Sequence, residues 1–351
     1  MTLEIVWFWL IAVLWAGYFL LEGFDFGVGM LLPVLPRSER ERSTLFESIG
    51  PVWDGNEVWL VVAAGATFAA FPAWYATMLS SFYILLLLIL VCLIVRVVSF
   101  EWREKRDGSG WRAVWMWANT IGSLGAAFLW GLALTNLLHG VPLNSSHAFS
   151  GTFWDLFNGY TVVGGVAVVL VFAFHGTTYL GIRTDGELRK RAAAAGRRIA
   201  FPAIVVGLGF LVWTVVVAHQ RNHRGVLAPT IVAAVAAAAL ILAAACAIAD
   251  REGWAFAMTA VGVVASVATL FTGLYSRVLV SHPDFGNSLT VSNTASGHYT
   301  LEVITIVAAI LTPLVLLYQG WTYYVFRKRV GGEQVETPLA ALSNGRSTAG
   351  S

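Results

Sequence analysis

Nine stretches of mostly apolar sequence, each close to the roughly 20 residues a helix needs to cross about 30 Å of hydrocarbon, constrain this chain more than any other feature. They cover residues 5–32, 51–71, 75–98, 114–138, 159–182, 199–218, 226–249, 254–279 and 301–326. Within them the apolar residues run continuously rather than alternating, which predicts helices and not the strands of a barrel. With 58% hydrophobic and 12% charged residues and a mean hydropathy of +0.72, too little polar surface remains to coat a water-soluble globule, and membrane lipid must cover it. The expected fold is therefore an all-α polytopic membrane protein of about nine transmembrane helices.

The N-terminal run lacks a basic leader and a small-residue cleavage site, so it is expected to stay as the first span. Trp and Tyr gather near span ends, at Trp7, Trp9, Trp74, Tyr75, Trp111, Trp115, Trp254, Trp321 and Tyr323; this suits an interfacial aromatic belt, although packing explains some of them equally well. All but three of the 22 Lys and Arg residues, Arg96 counted among them, fall in segments that follow an odd-numbered span. The exceptions are Arg221, Arg224 and Arg277. That asymmetry predicts a cytoplasmic basic side, with the N-terminus outside and the C-terminus inside. Residues 1–330 read as one transmembrane domain and 331–351, polar and small, as a disordered cytoplasmic tail. One span followed by two sets of four would allow two four-helix bundles. Two connections on the far side, 139–158 and 280–300, are long and polar enough to form small ordered caps. Cys92 and Cys246 lie in apolar runs and read as small buried hydrophobes. A net charge of +2 says little about partners, and no nucleic-acid partner is expected.

Chemistry is sought where the membrane makes polar groups expensive. Of 20 carboxylates only Glu22, Asp25, Asp54, Glu57 and Glu302 lie within the spans, and a charge at bilayer depth costs at least about 2.5–3.5 kcal/mol on insertion scales. Glu22 with Asp25, and Asp54 with Glu57, are each spaced i, i+3, which puts both members of a pair on one helical face. All four fall in the basic half of consecutive antiparallel spans. Gly23, Gly27 and Gly29 around the first pair permit a close helix contact, while Pro51 opens the second span and places Asp54 where the helix dipole favours an acid. Three readings of the four acids stand: a static hydrogen-bonded cluster with Asn56, a hydrated proton route of carboxylates at graded depth, and a cation site. Glu302 reads as a solvated acid at a helix start. Only His175 lies well inside a span, read as a packing residue, a relay member or a ligand, so no pair of axial haem ligands is expected at bilayer depth. Phosphate-cradling, dinucleotide-binding and nucleophile motifs are missing from the sequence.

The segments Glu22-Gly-Phe-Asp-Phe-Gly-Val-Gly-Met30 and Trp53-Asp-Gly-Asn-Glu-Val-Trp-Leu60 resemble the signatures of subunit II of cytochrome bd-type quinol oxidases. The likeness continues through Arg96, Phe100-Glu-Trp-Arg103, Gly140-Val-Pro-Leu-Asn144, His175-Gly-Thr-Thr-Tyr-Leu180 and Ser288-Leu-Thr290, and covers nearly the whole chain. It implies two four-helix bundles and one peripheral helix, paired in a pseudo-symmetric heterodimer with a haem-bearing subunit I. Subunit I holds most or all of the two haems b and the haem d. The complex so implied sits in the bacterial cell membrane, oxidises quinol, reduces dioxygen to water and builds a proton gradient without pumping. Asp25 and Asp54 match family acids associated with proton entry; Glu57 stands where relatives carry glutamine. Some relatives hold a structural quinone in subunit II, yet no position here identifies such a site, and small accessory membrane subunits stay open. A secondary transporter is the rival from another class, weakened because no helices are interrupted in pairs at mid-membrane. A structural scaffold with inert acids is the harder rival.

Overall fold

The computed structural model describes residues 2–331, so the expected tail, apart from its first residue, lies outside the described residues. In chain order the helices are α1 (Leu3–Leu31), α2 (Glu39–Ile49), α3 (Trp53–Ala70), α4 (Pro72–Ser81), α5 (Tyr83–Trp102), α6 (Ser109–His139), α7 (Gly159–Arg183), α8 (Gly186–Asn222), α9 (Leu227–Ile248), α10 (Glu252–Leu274), α11 (Val291–Thr294) and α12 (His298–Val325). The strands β1 (Arg277–Leu279) and β2 (Leu289–Thr290) form a small antiparallel ribbon. Among the described residues eight helices are long and apolar enough to cross a membrane. The ninth expected span, α3, is diluted by Asp54, Asn56 and Glu57 at its start. Its 18 residues still rise about 27 Å at 1.5 Å per residue.

Two boundaries differ from the sequence reading. The run expected as a single helix over 75–98 is divided at Phe82. Pro72 starts α4 in the first-turn position that suits proline, and the fully buried Phe71, Trp74 and Phe82 anchor the break in the core. The span expected over 199–218 belongs to the 37-residue α8, whose basic first third projects past the apolar stretch. Helix α2 was not anticipated. Ser38 caps it by accepting from the Glu41 amide, and it lies at the basic end of the molecule.

Helices α1, α3, α5 and α6 make one four-helix bundle, and α7, α8, α9 and α10 make a second whose members pack in a closed ring. The surplus span is the last, not the first as the order of the chain suggested. Helix α1 lies at the centre, against α3, α6, α7 and α10, because its sequence buries aromatic and glycine faces all round. Helix α12 packs chiefly on the flank of α1 and α3, and Leu301 is its one buried residue.

Glycine sets the closest approach in the core. A β-carbon on Gly27 would lie 2.1 Å from the Phe172 carbonyl oxygen, and one on Gly29 2.1 Å from Ser123 Oγ, so α1 meets α7 and α6 at distances no side chain permits. At the far end the two long connections form one cap: Val141 pairs with Ser281 and Asn287 Nδ2 donates to the Leu143 carbonyl at 2.9 Å. Trp7 and Trp74 are buried and serve packing rather than an interfacial belt, whereas Trp254 and Trp321 are exposed.

Candidate functional site

The basic half of the first bundle gathers three of the four expected acids around an arginine. Glu22 and Asp25 on α1 are both fully buried. Arg96 on α5, also fully buried, directs Nη1 to Glu57 Oε1 on α3 at 2.8 Å and towards Glu22 Oε2 at 3.4 Å. Its guanidinium carbon lies 5.0 Å from the Phe26 ring centroid and 5.7 Å from that of Phe100, which adds a cation–π contribution. Counting Arg96 with the loop cations is therefore corrected. It is a membrane-embedded partner for two carboxylates, and its mid-run position between valines was the signal. Alongside it, Asn119 on α6 donates to Ser99 Oγ at 2.9 Å and to the Arg96 carbonyl at 3.3 Å, tying α5 to α6.

Asp25 lies beyond direct reach of the arginine and is held by Asn56, whose Nδ2 donates to Asp25 Oδ2 at 2.7 Å. Two residues of α12 complete this side, neither of them anticipated from sequence. The Tyr323 hydroxyl donates to Asn56 Oδ1 at 2.7 Å, and Gln319 Nε2 approaches the same oxygen at 3.4 Å. Their i, i+4 spacing within an apolar span was the available signal. Several buried polar atoms keep no hydrogen-bond partner among the described residues, namely both Glu22 carboxyl oxygens, Asp25 Oδ1, Arg96 Nε and Nη2, and the Tyr18 hydroxyl.

Asp54 stands apart from this cluster. It is exposed in the first turn of α3, one helical turn nearer the basic end than Glu57, whose side chain keeps 22% of its exposure. From Asp54 through Glu57 to Glu22 and Asp25 the carboxylates grade from exposed to fully buried. Glu302 is exposed and pairs with His298 Nε2 at 3.0 Å, a local contact at the start of α12.

His175 is fully buried and stacks on Phe256 with ring centroids 4.8 Å apart. Its Nδ1 lies 2.6 Å from Thr259 Oγ1 and its Nε2 3.2 Å from the Leu20 carbonyl oxygen, so both ring nitrogens are engaged and neither is directed at an open volume. The interior of the second bundle holds a cavity of about 60 Å³ with an apolar lining that includes Phe19, Phe172, Phe210 and Leu240. Ordinary ligand pockets start near 300 Å³. These residues do not fit a haem, whose iron needs a free axial nitrogen or sulfur.

The model of the family described as cytochrome bd terminal oxidase subunit II matches residues 3–326. This chain belongs to that family. It is 41% identical over 336 residues to the cytochrome bd ubiquinol oxidase subunit 2 of Bacillus subtilis, covering 96% of this chain and 99% of the relative. It is 33% identical over 373 residues to the cytochrome bd-I ubiquinol oxidase subunit 2 of Escherichia coli K12, covering 97% and 98%. The fold is also that of a chain in the bd oxidase structure from Geobacillus thermodenitrificans, with a TM-score of 0.72, 17% identity, and coverage of 93% of this chain and all of that one. As a subunit II, the chain is an integral bacterial membrane protein and a component, with a subunit I, of a haem-containing oxidase.

Proposed function

We propose that this subunit II supports a haem-bearing subunit I in oxidising quinol and reducing dioxygen to water, and that its own chemical contribution is a proton entry path at the basic end of α1 and α3. The carrying observation is the gradient of exposure from Asp54 through Glu57 to Glu22 and Asp25. Carboxylates spaced this way let a proton leave water at one turn of helix and reach a desolvated acid at the next, and unpaired polar atoms around Glu22, Asp25 and Tyr18 are the kind that ordered water satisfies. The site then delivers protons toward the haem region of the partner, where dioxygen is reduced. In this reading the two haems b and the haem d are held by subunit I, which agrees with the engaged nitrogens of His175, and the chain has no oxidase activity alone.

The basic end is assigned to the cytoplasm, which places the N-terminus outside and takes the protons from inside, so oxygen reduction builds a gradient without pumping. Residues 1–330 act as one membrane domain. A quinone held structurally by this chain and small accessory subunits remain compatible with the fold without any residue here marking them. The test is turnover of the two-subunit complex bearing Asp25→Asn or Asp54→Asn. Slowed quinol oxidation with an unchanged reduced-minus-oxidised haem spectrum supports the path. Full turnover in both variants would eliminate it, and a collapsed spectrum would make the acids structural, which is the scaffold reading.

A further inference from the structure

Helix α12 buries little apolar surface, and most of it lies in the half away from the basic end, where Leu301 is buried and Ile304 and Ala308 pack against the core. What fixes its basic half is polar. Trp59 Nε1 donates to Gln319 Oε1 at 2.7 Å, Gln319 Nε2 faces Asn56 Oδ1 at 3.4 Å, and the Tyr323 hydroxyl donates to that same oxygen at 2.7 Å. Asn56 Nδ2 then donates to Asp25 Oδ2 at 2.7 Å. Just past the helix, Arg183 on α7 bonds the carbonyls of Phe326 and Lys328, and Arg329 Nη1 bonds the Thr184 carbonyl at 2.6 Å, so the last turns of α12 cannot drift.

The chain of bonds has a direction. An indole nitrogen can only donate, so Trp59 compels the Gln319 amide to present its oxygen on one side and its NH₂ on the other. That NH₂ can only donate and faces Asn56, and the Tyr323 hydroxyl, able to donate or accept, donates to the same oxygen at 2.7 Å; together they turn the Asn56 oxygen toward α12 and its NH₂ toward Asp25. Reversed, Asn56 would set its carbonyl oxygen against a carboxylate oxygen at hydrogen-bond distance and its NH₂ against the Gln319 NH₂, two clashes of like groups that the Tyr323 hydroxyl, accepting instead of donating, would not relieve. We infer that Tyr323, with Gln319 as the weaker and longer contact, is a positioning residue that fixes the Asn56 amide so that it always donates to Asp25. The peripheral helix thereby governs the state of an acid it never touches. This inference rests on the proposed role of Asp25 for its effect on turnover, but not for its structural content.

A double-mutant cycle on the purified two-subunit complex decides it, using Tyr323→Phe, Asn56→Ala and both together. Phenylalanine keeps the ring that packs against the apolar cluster at the basic end of the core and deletes only the hydroxyl. The expected result is turnover reduced about three- to tenfold by either single change at an unchanged haem spectrum, with the double variant no slower than Asn56→Ala alone, because effects passing through one residue do not add. Additive losses, or native turnover in Tyr323→Phe while Asp25→Asn is slow, would overturn the positioning role and leave the proton path standing. If Asp25→Asn itself turns over fully, the path fails instead, and the same cycle is read from the thermal midpoint of the complex. Non-additive shifts there support the positioning role and additive shifts overturn it.

Discussion

Arg96 Nη1 stands 2.8 Å from Glu57 Oε1, an ion pair between α5 and α3 in which the arginine is wholly buried and the acid keeps about a fifth of its exposure. The same nitrogen faces the fully buried Glu22 at 3.4 Å, so one cation serves two carboxylates of different depth. Removing it leaves Glu22 without a counter-charge in the core of the first bundle.

Arg96→Leu is therefore expected to cost about 3–5 kcal/mol, the range for breaking a buried ion pair from one side, and to lower the yield of assembled complex sharply. Glu57→Gln keeps a hydrogen-bond acceptor for Arg96 and keeps the Glu22 contact, so its complex should assemble at near-native yield. Quantifying haem per membrane protein for the two variants checks this. Equal yields would show that Arg96 is not the counter-charge on which the acids depend.

The contact of α1 with α7 allows a sharp contrast between glycines. Gly27→Ala would put a methyl group 2.1 Å from the Phe172 carbonyl oxygen and 2.8 Å from the Gly176 backbone, backbone that cannot swing aside. Gly65 on α3 has nothing within 4 Å of the same position. Gly27→Ala should lower the thermal midpoint of the complex by several degrees or prevent assembly, while Gly65→Ala should leave it within a degree.

Exposure orders the acids for chemical labelling. With native cysteines replaced, Asp54→Cys should react rapidly with a membrane-impermeant maleimide added to inside-out vesicles and Asp25→Cys should not. Reaction of Asp54→Cys only in right-side-out vesicles would reverse the assigned orientation of the basic end.

Arg183 ties the segment after α12 to α7. Its Nη1 contacts the Lys328 carbonyl at 2.5 Å, and Val330 donates to the Arg183 carbonyl at 2.8 Å. Arg183→Ala should open the Arg327-Lys328-Arg329 sequence to trypsin, shortening the time to half-cleavage severalfold. Native resistance in that variant would mean that Arg329, through its bonds to Gly181 and Thr184, holds the segment alone.

The apolar runs made the spans legible because the membrane imposes one length on every crossing, and the i, i+3 acids made half of the site legible because charge inside a span is rare. Other features depended on distances that no local pattern encodes. Arg96 lies two residues inside the end of the expected 75–98 run, close enough to the following loop to be counted with its cations. Tyr323 and Gln319 resemble ordinary interfacial polar residues until α12 is laid beside Asn56. Asp54 shares a nominal face with Glu57, yet a first-turn position left it outside the cluster. The central place of α1 was hidden as well, since a helix that is hydrophobic on all sides gives no sign of how many neighbours it will find.

That central place has a consequence for biosynthesis. Glu22 and Asp25 enter the bilayer with the first span, whereas Arg96 is translated about 70 residues later, an interval of roughly 4–14 s at 5–20 residues per second. During that interval each acid faces an insertion penalty of about 2.5–3.5 kcal/mol without Arg96, the buried cation that faces Glu22 in the folded chain. The first span is therefore expected to integrate less firmly, with its acids protonated or in contact with water, until α5 arrives. Ribosome-arrested chains ending before and after Arg96 should differ in how firmly α1 is integrated.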